Sequence, residues 1–318
     1  MCASKRMSET DWLEVPIFIH GVSPEEKPKS HKEEYGALLK AINVGLKERN
    51  KPPLSGAIYV EWGRKYPGSK GMDQYLAQVE RKLNTYVKQS MGENYSSIPI
   101  VYKTVRELLF FAAADLLYYT SADGEKALRR HIFRDLANRI MKLAEQKSNR
   151  ISLTFFTHSA GTLITHDLLY HLFAKRYKQG EIANNEVRDI MKYARKKSGE
   201  ATNATQLRVR RLYTFGSPIS LLSIRANSLI NKLRTKKIQL LETEAIGLRA
   251  SDGLDNPRWV NFWDKDDLIA APVAFLYKNT TGVIEDITVN AGALLPKAQA
   301  HTDYWYSLEM ANIIADTF

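Results

Sequence analysis

Ile151-Ser152-Leu153-Thr154-Phe155-Phe156-Thr157-His158-Ser159-Ala160-Gly161-Thr162-Leu163-Ile164 joins two patterns in one short stretch. Ile151 to Thr157 is crowded with β-branched and aromatic side chains, as a buried strand requires. From Thr162 onward the apolar residues recur at helical spacing. Between them lies a turn of four residues, His158 to Gly161, with Ala160 and Gly161 small enough for a strand to pass abruptly into a helix. A serine at such a turn lifts its hydroxyl above the end of the sheet, and the N-terminus of the following helix turns N–H groups toward it. Ser159 is therefore the candidate nucleophile, with His158 and Gly161 shaping the turn. Serine and glycine also gather at helix starts for capping alone, so the flanking strand and helix carry the inference. Thr157 stands where a glycine is usual, which is acceptable only while its backbone stays extended.

Five further runs have the same strand character: Val15–His20, Ala57–Trp62, Arg211–Phe215, Trp259–Trp263 and Val283–Val289. Segments of helical periodicity separate them, chiefly Lys32–Lys47, Gln74–Lys88, Lys126–Gln146, Thr162–Lys175, Val187–Lys197, Leu221–Leu233 and Asp303–Ala315. Strands that alternate with helices and are apolar along most of their length predict a mostly parallel sheet covered on both faces, a doubly wound α/β domain. The 318 residues read as one such domain, 1–318. Two connections exceed what a crossover needs, at about 63–150 and 219–258, and predict lid or pocket elements. The first holds the apolar stretch Leu108 to Ala114, which suits either an acyl pocket or a buried core helix.

With 44% hydrophobic and 25% charged residues the composition is that of a soluble globular protein. The one cysteine, Cys2, has no partner for an internal disulfide. The first residues lack the charged start and apolar run of a secretory signal, and no stretch of about 18 apolar residues spans a bilayer, so a cytoplasmic setting is expected. A formal charge of +11 favours anionic partners, and basic residues concentrate from Lys175 to Arg211. A solvated helix face accounts for that run more simply than a binding patch. It lacks the interleaved aromatic rings that nucleic-acid stacking needs, so a nucleic-acid partner is not expected. Peripheral contact with an anionic membrane remains the partner the charge suggests.

Acyl transfer needs more than a serine. Oxyanion donors are expected from Ala160 and from the loop His20-Gly21-Val22 that closes the first strand, with Gly21 or Val22 giving the second N–H. Of seven histidines, His301 alone follows every expected strand and is the candidate base. The acid is expected after Trp259–Trp263, where Asp264, Asp266 and Asp267 lie close together. Asp267, followed by Leu268 and Ile269, is the first choice, Asp264 the second and Asp266 the third. Such a carboxylate fixes the histidine tautomer and stabilises the imidazolium. The chemistry requires no metal and no cofactor, and His166 and His171 are not spaced as ligands on one helix face.

The blocks Phe18-Ile19-His20-Gly21, Thr157-His158-Ser159-Ala160-Gly161, Thr214-Phe215-Gly216-Ser217-Pro218, Asp267-Leu268-Ile269-Ala270-Ala271-Pro272 and His301-Thr302-Asp303-Tyr304-Trp305 together resemble the lipase-like α/β hydrolases. That group includes class 3 lipases and GPI inositol-deacylase-like esterases. The resemblance runs from residue 15 to residue 316. It implies an α/β-hydrolase fold with helical insertions, a Ser159–Asp267–His301 triad and a carboxyl-ester or lipid substrate, with Ser217 shaping a turn. Thioesterase, acyltransferase and amidase chemistry would use the same residues. The alternative from another class is a catalytically silent scaffold of the same fold that binds a ligand, membrane surface or partner.

Overall fold

The computed structural model describes residues 12–21, 31–62, 130–147, 150–173, 206–220, 241–248, 258–267, 269–278, 282–291 and 300–318, with six isolated positions between 78 and 119. The expected helices Val187–Lys197 and Leu221–Leu233, the apolar stretch Leu108 to Ala114 and most of Gln74–Lys88 lie outside the described residues. So do most of the two long connections and of the basic run after Lys175.

All six expected strands lie in one sheet. In chain order the strands are β1 (Leu13–Ile19), β2 (Ile58–Val60), β3 (Arg150–His158), β4 (Gln206–Phe215), β5 (Leu241–Glu242), β6 (Trp259–Trp263), β7 (Tyr277–Lys278) and β8 (Ile284–Thr288). The main sheet runs β2-β1-β3-β4-β6-β8 with every pairing parallel. The two-residue strands β5 and β7 form a separate parallel pair that the sequence reading missed, because runs so short carry no periodicity.

The helices are α1 (Lys32–Glu48), α2 (Arg130–Gln146), α3 (Ala160–Phe173), α4 (Ala300–Asp303) and α5 (Leu308–Thr317). The expected single helix Asp303–Ala315 is instead broken. A 3-10 turn at Tyr304–Tyr306 follows α4, and the Ser307 side chain accepts from the Met310 N–H to start α5 afresh.

Neighbouring residues of a strand face opposite layers, and β1 displays this cleanly. Ile17 and Ile19 join a core with Ile132, Phe133 and Leu136 of α2 and Ile164 and Leu168 of α3. Phe18 joins the opposite core with Tyr35, Leu38 and Ile42 of α1 and Met310 and Ile314 of α5. Phe18 stacks on Phe156 at 4.7 Å between centroids, and Phe156 on Tyr213 at 5.2 Å, so this face is paved with rings. Each such buried side chain is worth about 1.5–3 kcal/mol of transfer free energy. Helices on both faces of an all-parallel sheet make a doubly wound α/β fold.

The strand order reverses between β1 and β3, since the chain leaves β1 toward β2 and returns past it to β3. In open parallel sheets the crevice beyond the carboxyl ends of the strands at such a reversal is where ligands bind. Gly21 and Ser159 occupy that point. Among the described residues no helix is long and apolar enough to cross a membrane.

Candidate active site

Ser159 sits between the last residue of β3 and the first of α3 with a φ of 51°. A left-handed backbone is costly for a serine and persists only where its surroundings enforce it. Here the Ser159 N–H donates to the Phe215 carbonyl (3.0 Å), and its own carbonyl accepts from the Thr162 N–H (3.0 Å) and hydroxyl (2.7 Å). The turn is thus pinned to β4 on one side and α3 on the other. Thr157, fully buried, remains in the extended ladder opposite Thr214 and Ile19, which is why a β-branched residue is accommodated there.

Two glycines allow the close approach. A Cβ on Gly21 would lie 2.4 Å from the Ser159 Cβ and 2.9 Å from its Oγ. One on Gly161 would lie 2.5 Å from the His20 carbonyl oxygen and 2.6 Å from that of Ile19. Glycine at both positions therefore lets the end of β1 rest directly on the serine turn. The same Cβ on Gly21 would lie 3.4 Å from the Ala160 nitrogen, so the end of β1 approaches both the Ser159 hydroxyl and the start of α3. Val22, the other candidate donor, lies outside the described residues.

His20, which the sequence reading treated only as part of this loop, is gripped on four sides. Its N–H donates to the Tyr35 hydroxyl (2.8 Å), its carbonyl accepts from the Trp62 indole (2.7 Å), and its Nε2 accepts from the Trp62 backbone N–H (3.1 Å). The remaining ring proton, on Nδ1, goes to the Gly21 carbonyl. Burial, and the His31 ring stacked 3.7 Å away, hold the His20 imidazole neutral well below its usual range. No sequence spacing links Tyr35 and Trp62 to His20, so only the fold reveals them.

The Ser159 hydroxyl donates to His301 Nε2 at 2.8 Å, and His301 Nδ1–H donates to Asp267 Oδ2 at 2.9 Å. All three residues are buried. His301 is reached from the end of β8 and lies in α4, not in an open loop. Asp267 is saturated: Oδ1 accepts from the Ile269 and Ala270 N–H groups at 2.9 and 3.3 Å, and Oδ2 also accepts from the Tyr304 hydroxyl at 3.1 Å. Burial alone would raise its pKa, but the hydrogen bond and charge of His301 and the Ile269 N–H outweigh it, leaving the carboxyl below its usual range.

The three aspartates separate clearly. Asp264 is buried too, yet its oxygens accept from the Asp266 N–H (2.8 Å) and the Ala291 N–H (2.7 Å), which ties the end of β6 to the chain beyond β8. Its own N–H donates to the Tyr304 hydroxyl at 2.8 Å. Asp266 is exposed. Ser217, on the turn after β4, bonds Thr162 at 3.0 Å and accepts from the Ile219 N–H at 3.3 Å. His166 pairs with the Tyr277 hydroxyl at 2.6 Å, away from this chain of bonds.

No family model matches the chain, and no curated protein matches it. What the arrangement can do is thus read from its chemistry. A hydroxyl donating to an imidazole that is itself oriented by a carboxylate is a nucleophile beside its base. Among the described residues no group of three or more His, Cys, Asp or Glu is placed to hold a metal ion.

Proposed function

We propose that this chain is a serine hydrolase of the α/β-hydrolase fold that cleaves a carboxyl ester through an acyl-serine intermediate. The observation that carries the proposal is the unbroken bond series from Ser159 through His301 to Asp267, rooted in a serine whose left-handed backbone is enforced on both sides. A serine serving only as a helix cap has no need of a buried imidazole on its hydroxyl.

In the proposed reaction His301 takes the Ser159 proton as Oγ attacks the acyl carbon. Asp267 stabilises the imidazolium and keeps Nε2 facing the serine. The Ala160 N–H, with one from Gly21 or Val22, receives the developing oxyanion. His301 then protonates the leaving alkoxide, and a water activated by the same ring hydrolyses the acyl-serine. The charge of +11 supports an anionic lipid surface as the setting, and that part of the proposal expects faster turnover on acidic than on neutral vesicles. Equal rates would remove it.

Covalent labelling of wild type and Ser159→Ala with a fluorophosphonate tests the core of the reading. The expected result is labelling that vanishes in the variant, followed by turnover of p-nitrophenyl esters whose preferred chain length reports the pocket. A folded wild type that takes no label, or equal label on both proteins, refutes it.

A further inference from the structure

His158 lies beside the chemistry without belonging to the series of bonds that performs it. It is the last residue of β3, held in register opposite Phe215, so its backbone is fixed by the sheet. Its ring is buried among Phe215 at 5.5 Å, Tyr304 at 5.9 Å and Trp305 at 5.6 Å between centroids, and 4.8 Å from the ring of His301. Gly216 makes room for the two imidazoles. A Cβ there would lie 3.1 Å from His158 Cδ2 and Nε2 and 3.2 Å from His301 Cε1.

His158 Nε2 is 2.5 Å from the carbonyl oxygen of His301. A carbonyl only accepts, so Nε2 carries the proton and donates it. We propose that His158 is a positioning residue, whose Nε2–H clamps the backbone of His301 to the end of β3 and so holds the His301 ring on Ser159. The inference rests on the proposed hydrolase reading. The ring bonds to Asp267 and Ser159 orient the imidazole, buried Tyr304 and Trp305 anchor the chain just after its four-residue helix, and the His158 donor holds the His301 backbone itself. His158 and Ser159 are consecutive, so one rigid strand end carries both the hydroxyl and the clamp. Base and nucleophile are thereby referenced to the same element.

The clamp works only as a neutral ring, because a second imidazolium 4.8 Å from His301 would oppose the positive charge His301 acquires in the reaction. Burial, and then the nearby His301, lower the His158 pKa to about 3, against the opposing pull of the His301 carbonyl and Asp267. His31 and His20 bear on it from the side of β1 and α1. The sequence marks His158 as part of the serine turn, and nothing in its pattern points to the His301 carbonyl.

The test compares His158→Met, which keeps the volume and loses the donor, with His158→Gln, whose amide reaches the same carbonyl. The readout is the rate of fluorophosphonate labelling of Ser159. His158→Met is expected to label at least about tenfold slower, and His158→Gln to recover to within about threefold of wild type. A Met variant as fast as wild type, or Met and Gln variants equally slow, overturns the clamp. In wild type itself, imidazole nitrogen NMR should find His158 as the neutral Nε2–H tautomer from about pH 5 to 8, whether or not either variant folds. The Nδ1–H tautomer or an imidazolium in that range overturns it as well. Absence of label on folded wild type would instead sink the hydrolase reading, with the NMR result still deciding the clamp.

Discussion

Replacing Asp267 and Asp264 separately by asparagine should break two different things. Asp267 Oδ1 accepts from two backbone N–H groups, so an asparagine there keeps its carbonyl oxygen on Ile269 and Ala270 and turns its NH2 toward His301 and Tyr304. An NH2 facing Nδ1 forces the imidazole proton onto Nε2, where it can no longer accept from Ser159. The cost of that wrong tautomer is about 10⁴-fold in rate, or about 5.4 kcal/mol of barrier. Asp264 meets a backbone N–H at each oxygen. An asparagine there must point its NH2 at one of them, leaving the buried Ala291 N–H or the part-buried Asp266 N–H unpaired at about 1–3 kcal/mol of stability. Fluorophosphonate labelling rates with thermal unfolding of the same samples separate the two. Asp267→Asn should be slow, with some loss of stability because the Tyr304 hydroxyl proton loses its acceptor, and Asp264→Asn should melt several degrees lower and label at close to the wild-type rate. An Asp264→Asn protein that is folded yet as slow as Asp267→Asn would refute the assignment, as would an Asp267→Asn protein that labels normally.

Gly21→Ala puts a methyl 2.4 Å from the Ser159 Cβ and should slow labelling by about 100-fold or more, whereas a rate within about threefold of wild type would contradict the close approach. Gly161→Ala meets two backbone carbonyl oxygens that cannot swing aside, so its cost should appear as stability, about 1–3 kcal/mol or more, read from the urea midpoint. His158, with its pKa lowered to about 3, stays neutral in the native state while the unfolded chain takes up a proton below about pH 6.5. Native stability should therefore fall as pH drops from about 6.5 toward 3, by up to about 1.4 kcal/mol per unit from this group. His158→Gln has no such group and should lose less between about pH 7 and 5, and an equal loss would show that the histidine is not buried neutral.

The sequence by itself determined the class of the fold and the positions of its strands. Runs such as Val15–His20 and Trp259–Trp263 are apolar on both faces, and a strand of that kind is stable only inside a covered parallel sheet. It also determined the serine turn, because a strand, a tight turn with small residues and a helix follow one another without interruption, so all the information is local. The break at Ser307 and the pair β5–β7 were not legible, since a two-residue strand has no period and a cap inside a periodic segment resembles any other serine. The apolar Leu268 and Ile269 after Asp267 rank it ahead of Asp264 in the sequence, but what each carboxylate meets was decided by the tertiary structure. Both lie in the same turn and both are buried, and the fold brings an imidazole opposite an oxygen of one and the Ala291 N–H opposite an oxygen of the other. The same holds for Tyr35 and Trp62 gripping His20, and for His158 reaching the His301 carbonyl 143 residues away. Hydrogen bonds between distant segments are set by how layers pack, and packing leaves no periodic mark on the chain.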